Sequence, residues 1–308
     1  MLVYLNGRVV EKSEALISPD DRGFLFADGV YEVIRAVRGH LFEPAAHLAR
    51  MSAGVKALSL AAPEGGLETL FAAAEELLVR NGLDAAEATV YLQLTRGVAP
   101  RTHAFPPPST PPTTYVVASP FRPSDSAQTR GAAAITHEDI RWSRCDLKTI
   151  NLLANAWAKQ AAVEAGALEA IFIRDGRVTD GASSNIFAVL GGVVCTPPLS
   201  RFILGGITRQ VVIALAGQAG LDVREREITP AELHTADELF ITGTTSDVTP
   251  IVRLDGETVP GGIPGSVTSL LQHELRARLD LCGTGAPHAT PARRDVAADP
   301  GLVPSEGR

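Results

Sequence analysis

The hydrophobic period changes within one short stretch, and that change constrains the fold more than any other feature. In "GVYEVIRAVRGHLF", from residue 29, the pattern alternates: Tyr31, Val33, Arg35 and Val37 share one face of an expected strand, while Ile34 and Ala36 share the other. The next residues, "EPAAHLARMSAGVKALSL", place Leu48, Met51, Val55 and Leu58 at helical spacing behind Pro44. A second helix ("LETLFAAAEELLVRNGL") and two strands ("ATVYLQLTRG", "TTYVVASP") follow, with Asn6-Gly7 turning a hairpin at the start. The remainder again mixes strands with helices, including "ITRQVVIALAGQAGL" after a Gly-Gly turn. The expected architecture is an α+β two-domain fold: an N-terminal domain over 1–119, a linker over 120–129, a C-terminal α/β domain over 130–281 and a disordered tail over 282–308.

Bulk properties narrow the function classes. At 308 residues the chain is long for a single core. Its net charge of -7 argues against a nucleic-acid surface, and no apolar run is long enough to span a bilayer. The opening "MLVYLNGRVVEKSE" lacks the pattern of a secretory signal. Cys145, Cys195 and Cys282 are widely spaced and form no CxxC pair, which suits a reducing compartment and predicts a cytoplasmic protein.

Lysine is rare here, four against twenty-four arginines, so its placement carries information. Lys148 lies in "RWSRCDLKTINLLANAWAKQ", where a strand-like run gives way to a helix, a position expected to be buried. A desolvated lysine loses part of its preference for the charged form and becomes a nucleophilic amine. The competing reading is a lysine snorkelling from a helix start and pairing with Asp146. In "RFILGGITRQVV", Ile207 and Thr208 fall at a helix N-terminus, either an anion cup or an ordinary cap. "ITGTTSDVTP", with Thr244, reads as a turn when taken alone. Arg50 is either a bidentate phosphate contact or a solvated surface residue. Asp180, in "RVTDGASSNIF", can pair with a protonated ring nitrogen or simply occupy a β-turn. Arg101 and His103, two apart in an extended loop, can trap a carboxylate together, although a polar loop requires no such role. Together these are the parts of a pyridoxal phosphate site, whereas GxGxxG, the P-loop, HExxH and GxSxG are all missing.

At this point the chain resembles the fold-type IV pyridoxal phosphate enzymes, the class IV aminotransferases, and within them the D-amino acid (D-alanine) aminotransferases. The stretches that carry it are "DRGFLFADGVYEVIRA", "HLARM", "QLTRGVAPRTHAFP", "HEDIRWSRCDLKTINLLANAWAKQ", "VTDGASSNIF", "LGGITRQVV" and "ELFITGTTSDVTPI", spanning about residues 1–281. The resemblance implies pyridoxal 5'-phosphate as cofactor, with Lys148 as the Schiff-base lysine and proton shuttle. It implies a phosphate site of Arg50, the amides of Ile207 and Thr208, and the Thr244 hydroxyl, and it sets Asp180 against the pyridine nitrogen. Tyr31, Arg101 and His103 would hold the substrate carboxylate, the loop of the last two crossing the interface of a homodimer.

The implied activity is amino transfer from D-amino acids such as D-alanine or D-glutamate to 2-oxo acids. The alternatives are a branched-chain, L-amino acid or (R)-amine aminotransferase, an aminodeoxychorismate lyase, or a weakly catalytic cofactor-binding protein. "PRTH" favours the D-amino acid reading. Two positions depart from the family pattern: Asp180 stands where glutamate is usual, and Gly243 where serine is common. The shorter carboxylate opens a gap of roughly 1 to 1.5 Å, to be closed by a backbone shift or a water.

Overall fold

Asn6 and Gly7 both adopt positive φ, 48° and 84°, which closes Leu2–Leu5 (β1) and Arg8–Glu11 (β2) into a two-residue hairpin. The computed structural model describes residues 1–286. A short helix, Arg22–Phe26 (α1), leads into Gly29–Val37 (β3) and His40–Leu41 (β4). Two helices, Pro44–Ala57 (α2) and Glu68–Arg80 (α3), precede Glu87–Thr95 (β5) and Thr113–Pro120 (β6). The six strands form one antiparallel sheet in the order β2-β1-β6-β5-β3-β4. Ile34 and Ala36 enter the core between this sheet and the two helices, where Met51 and Val55 meet them and Leu48 and Leu58 pack at the edge.

Residues 120–129, expected to be an aperiodic linker, contain regular structure. Pro120 pairs with Ala88 as the last residue of β6, and Asp125–Arg130 form a helix (α4). The chain continues as Ala132–Glu138 (β7), Leu153–Glu164 (α5), Glu169–Arg174 (β8), Arg177–Gly181 (β9), Asn185–Leu190 (β10) and Val193–Thr196 (β11). Ile207–Gln218 (α6), Val223–Glu225 (β12), Pro230–His234 (α7), Glu238–Gly243 (β13), Asp247–Leu254 (β14), Glu257–Thr258 (β15) and Ser266–Cys282 (α8) complete it. The second sheet is mixed and runs β12-β11-β10-β13-β14-β7-β8-β9, with β15 paired to β14. Residues from α6 and α8 cover one part of it, around the stacked rings of Phe187 and Phe240. Cys282, expected to begin the tail, is instead the buried last residue of α8; of the remaining expected tail, residues 287–308 lie outside the described residues.

The two sheets are tied together around one segment. The Lys148 stretch is annexed by the start of β3: Tyr31 N donates to Lys148 O at 3.0 Å and Ile150 N to Gly29 O at 3.1 Å. From the other sheet, the Thr244 hydroxyl donates to Val33 O at 3.2 Å. Farther out, Arg278 of α8 pairs with Glu43 at the head of α2 at 2.9 Å. No helix among the described residues is long and apolar enough to cross a membrane.

Candidate active site

A cavity of about 410 Å³ opens between the sheets, and Lys148, Arg50, Asp180, Ile207, Thr208 and Thr244 all line it, with Tyr31 on its wall. Lys148 is half-buried rather than buried, since it projects into this open space. Its Nζ lies 4.1 Å from the centroid of the Tyr31 ring, which stacks on Tyr91. The backbone bonds to β3 hold the lysine in an extended stretch ahead of α5, so the Asp146 pairing considered from the sequence is not made. Arg144 takes that carboxylate through two bonds of 2.9 Å.

The phosphate-binding candidates converge from different elements. Gly206 caps α6 and has no side chain to satisfy the first-turn amides, which leaves those of Ile207 and Thr208 available beside the positive end of the helix. Gly206 is sterically required, because a Cβ there would lie 2.0 Å from Asn185 Oδ1. Arg50 is not a solvated surface residue. Its Nε and Nη2 donate to Glu32 at 2.8 and 2.6 Å, and its Nη1 donates to Gly205 O at 3.0 Å, tying α2 to the loop before α6. Glu32 is fully buried and also meets His47 Nδ1 at 2.7 Å; since a carboxylate only accepts, that ring nitrogen carries the proton. Burial by itself would raise the pKa of Glu32, but the bonds from Arg50 and His47 outweigh it and hold the carboxyl at about 2. Burial lowers that of His47, against the opposing pull of Glu32.

At another wall, Asp180 is buried; its Oδ1 accepts from Asn185 Nδ2 at 2.9 Å and its Oδ2 from Leu204 N at 3.2 Å. Desolvation pushes its pKa up to about 7, and Arg141 counters only in part. The geometry explains the imbalance. Arg141 gives Asp139 two bonds of 2.9 Å but stands 3.8 Å from Asp180, too far to add a hydrogen bond to its Coulomb attraction.

Glu32, His47 and Arg141 were missed in the sequence. For Glu32 a signal was present: the strand alternation puts it on the same face as Ile34, where a charge needs a buried partner. Arg101 and His103 stand apart from the other candidates: they are exposed and do not line the cavity of their own chain. At Gly243 a Cβ would meet nothing closer than 3.5 Å, so the serine common in the family would fit there.

Comparison with known proteins decides the affiliation. The profile of the amino-transferase class IV family matches residues 29–254. The chain belongs to the class IV aminotransferases. Among relatives of the same family, the D-alanine aminotransferase of Bacillus licheniformis is 43% identical over 282 residues, 90% of this chain and 96% of that one. That of Staphylococcus haemolyticus is 41% identical over 271 residues, covering 88% and 95%. Solved aminotransferase structures overlay on most of the chain. A branched-chain aminotransferase from Thermoproteus uzoniensis, solved with norvaline, gives a TM-score of 0.81 at 28% identity over 91% of this chain and 95% of that one. The T.th. branched-chain amino acid aminotransferase with pyridoxamine 5'-phosphate gives 0.83 at 30%, over 93% and 95%. The expected α+β fold of this class is therefore the fold observed.

The residues present fit the phosphorylated pyridine cofactor expected of such a site. An amine, an uncapped helix N-terminus with an arginine, and a buried carboxyl without a full counter-charge all open on one cavity.

Proposed function

We propose that the protein is a pyridoxal 5'-phosphate-dependent D-amino acid aminotransferase, moving the amino group of D-amino acids such as D-alanine to 2-oxo acids. The observation that carries this reading is the meeting of Lys148, Arg50 with the α6 N-terminus, and Asp180 on one cavity. Similarity to D-alanine aminotransferases at 43% and 41% identity over most of the chain supports the substrate class.

The cofactor supplies an aldehyde that captures amines and a conjugated ring that accepts electron density from the substrate Cα. Arg50 and the amides of Ile207 and Thr208 bind its phosphate, with Thr244 beside them. Asp180 holds the proton on the ring nitrogen, and a cationic partner there repays the desolvation that raises its pKa to about 7. Lys148 would hold the cofactor through its aldehyde carbon, and its amine would take up and return the proton of the substrate Cα. Arginine could not replace it, since a guanidinium stays charged and forms no such bond. Tyr31, against the lysine, orients the substrate from the cavity wall.

Arg101 and His103 grip the α-carboxylate across the interface of a homodimer in this reading. Their exposure, and their absence from the cavity of their own chain, support a site completed by a second subunit. The three cysteines, buried and free, support a reducing, cytoplasmic setting.

The test is an absorbance titration of the cofactor-loaded protein with D-alanine and then L-alanine. D-alanine is expected to convert the visible band to that of the pyridoxamine form, and L-alanine to leave it. Conversion by L-alanine alone would retain the cofactor and remove the D-specific role of Arg101 and His103. Pyruvate release from aminodeoxychorismate without any acceptor would make the protein a lyase instead.

A further inference from the structure

The loop that carries Arg101 and His103 rests on buried charge. Arg22, at the start of α1, is only 3% exposed, and its Nη1 donates to Thr102 O at 2.7 Å and to Ala104 O at 3.4 Å. Those two carbonyls flank His103. Arg22 Nε donates to Asp28 Oδ2 at 2.8 Å, and the same carboxylate accepts from Arg96 Nε at 2.7 Å and Nη2 at 3.0 Å. Arg96 in turn donates to Leu58 O and Ser59 O, just past the end of α2. A continuous chain of charge-assisted bonds therefore runs from α2 to the backbone on either side of His103.

Phe26, one turn beyond Arg22, gathers the side chains above this chain of bonds. The guanidinium carbons of Arg22 and Arg101 lie 4.6 and 5.3 Å from its ring centroid, and the His103 ring lies 5.7 Å away. Arg96 stacks on Phe105 at 3.6 Å. The helix beneath is itself fixed. Asp21 accepts from Gly23 N at 2.8 Å and from Thr95 Oγ1 at 3.0 Å, and a Cβ on Gly23 would lie 2.3 Å from Thr95.

Burying two guanidiniums against one carboxylate is costly, and an exposed polar loop with no task has no need of it. We infer that Arg22, Asp28, Arg96 and Phe26 form a platform that presents Arg101 and His103 to the substrate carboxylate at a set spacing and orientation. The inference rests on Arg101 and His103 gripping that carboxylate. Enantiomers exchange the positions of carboxylate and side chain around Cα, so a grip held rigidly reads handedness and a loose one reads it poorly. These four are positioning residues, acting through the loop.

The experiment is a double-mutant cycle on the loaded enzyme, using Arg22→Lys, Phe26→Leu, Arg101→Ala and the Arg22→Lys/Arg101→Ala pair. For each variant, kcat and KM are measured with D-alanine, together with the D-to-L ratio in kcat/KM. Arg22→Lys and Phe26→Leu are each expected to raise KM roughly tenfold and to lower the D-to-L ratio, with kcat within about threefold and an unchanged cofactor band. The double variant is expected to lose less than the product of the two single losses, because both changes act on the same carboxylate grip. A raised KM in Arg101→Ala with an unchanged KM in both platform variants, or with losses that multiply in the pair, overturns the platform and leaves the grip standing. An unchanged KM in Arg101→Ala removes the grip, and the platform with it. If Arg22→Lys does not fold, Phe26→Leu alone decides between these results.

Discussion

Burial pushes the Asp180 carboxyl up to about 7, which makes the stability of the cofactor-free protein depend on pH through this residue. Its ordinary value is 3.8, so between 3.8 and about 7 the folded state holds a proton that the unfolded state releases. Stability from this group is complete below its ordinary pKa and is lost as pH rises through about 7. Glu32 and Asp139 act in the opposite sense: both are held at about 2, so their contributions are present above their ordinary values of 4.5 and 3.8 and are lost as pH falls from there through about 2. The windows meet near pH 4. In the cofactor-free protein, Asp180→Asn is expected to remove part of the decline in Tm between about pH 4 and 7, as thermal melts across that range would record. Parallel melting curves for variant and parent would show that Asp180 is already ionised in the free site.

At the scale of elements, the N-terminus of α6 depends on the absence of one carbon. A methyl group at Gly206 would displace Asn185, which also donates to Asp180 and to Leu204 O. The backbone of Gly206 has an ordinary φ of -65°, so alanine meets a steric obstacle and no dihedral one. Gly206→Ala is expected to weaken cofactor binding tenfold or more, roughly the cost of overpacking a tight site. Gly205→Ala, whose nearest neighbour would be 3.7 Å away, is expected to change it by less than about threefold. Equilibrium titration of the cofactor-free variants with pyridoxal phosphate measures both. Equal losses would mean that the loop as a whole, and not the approach of Gly206 to Asn185, sets the affinity.

At the scale of the whole molecule, several large apolar side chains remain exposed. Leu16, Ile17, Phe24 and Phe105 are among them, and Ile17 and Phe24 line a concavity of about 500 Å³ with Tyr115 and Ile150. Leu153 and Trp157 are exposed on α5. Exposed apolar surface of this kind is what a second copy covers in a symmetric dimer. The proposed crossing of the loop makes a sharper prediction than subunit mass alone. Lys148→Ala and Arg101→Ala subunits, each inactive or weak alone, are expected to recover about a quarter of parental activity when unfolded and refolded together, since half the dimers are mixed and each of these has one complete site. No recovery, with mixed dimers demonstrated, would place the carboxylate grip within a single chain.

The sequence by itself determined the class of fold and singled out the lysine proposed to react. Period switching at residues 29–60 places β3 and α2 directly, and a scarce lysine between a strand and a helix marks Lys148. Both are legible because local spacing and residue chemistry act over a few positions. The helix across 125–130, the pairing of Glu32 with Arg50 and His47, and the commitment of Arg141 to Asp139 were settled only by tertiary structure. Each depends on groups brought together by packing, and burial sets the strength of every charge among them. Asp180 shows both limits: its place on the cavity was readable in "VTDGASS", but its rise to about 7 follows from how completely the fold excludes water and from the 3.8 Å that keeps Arg141 out of hydrogen-bond reach.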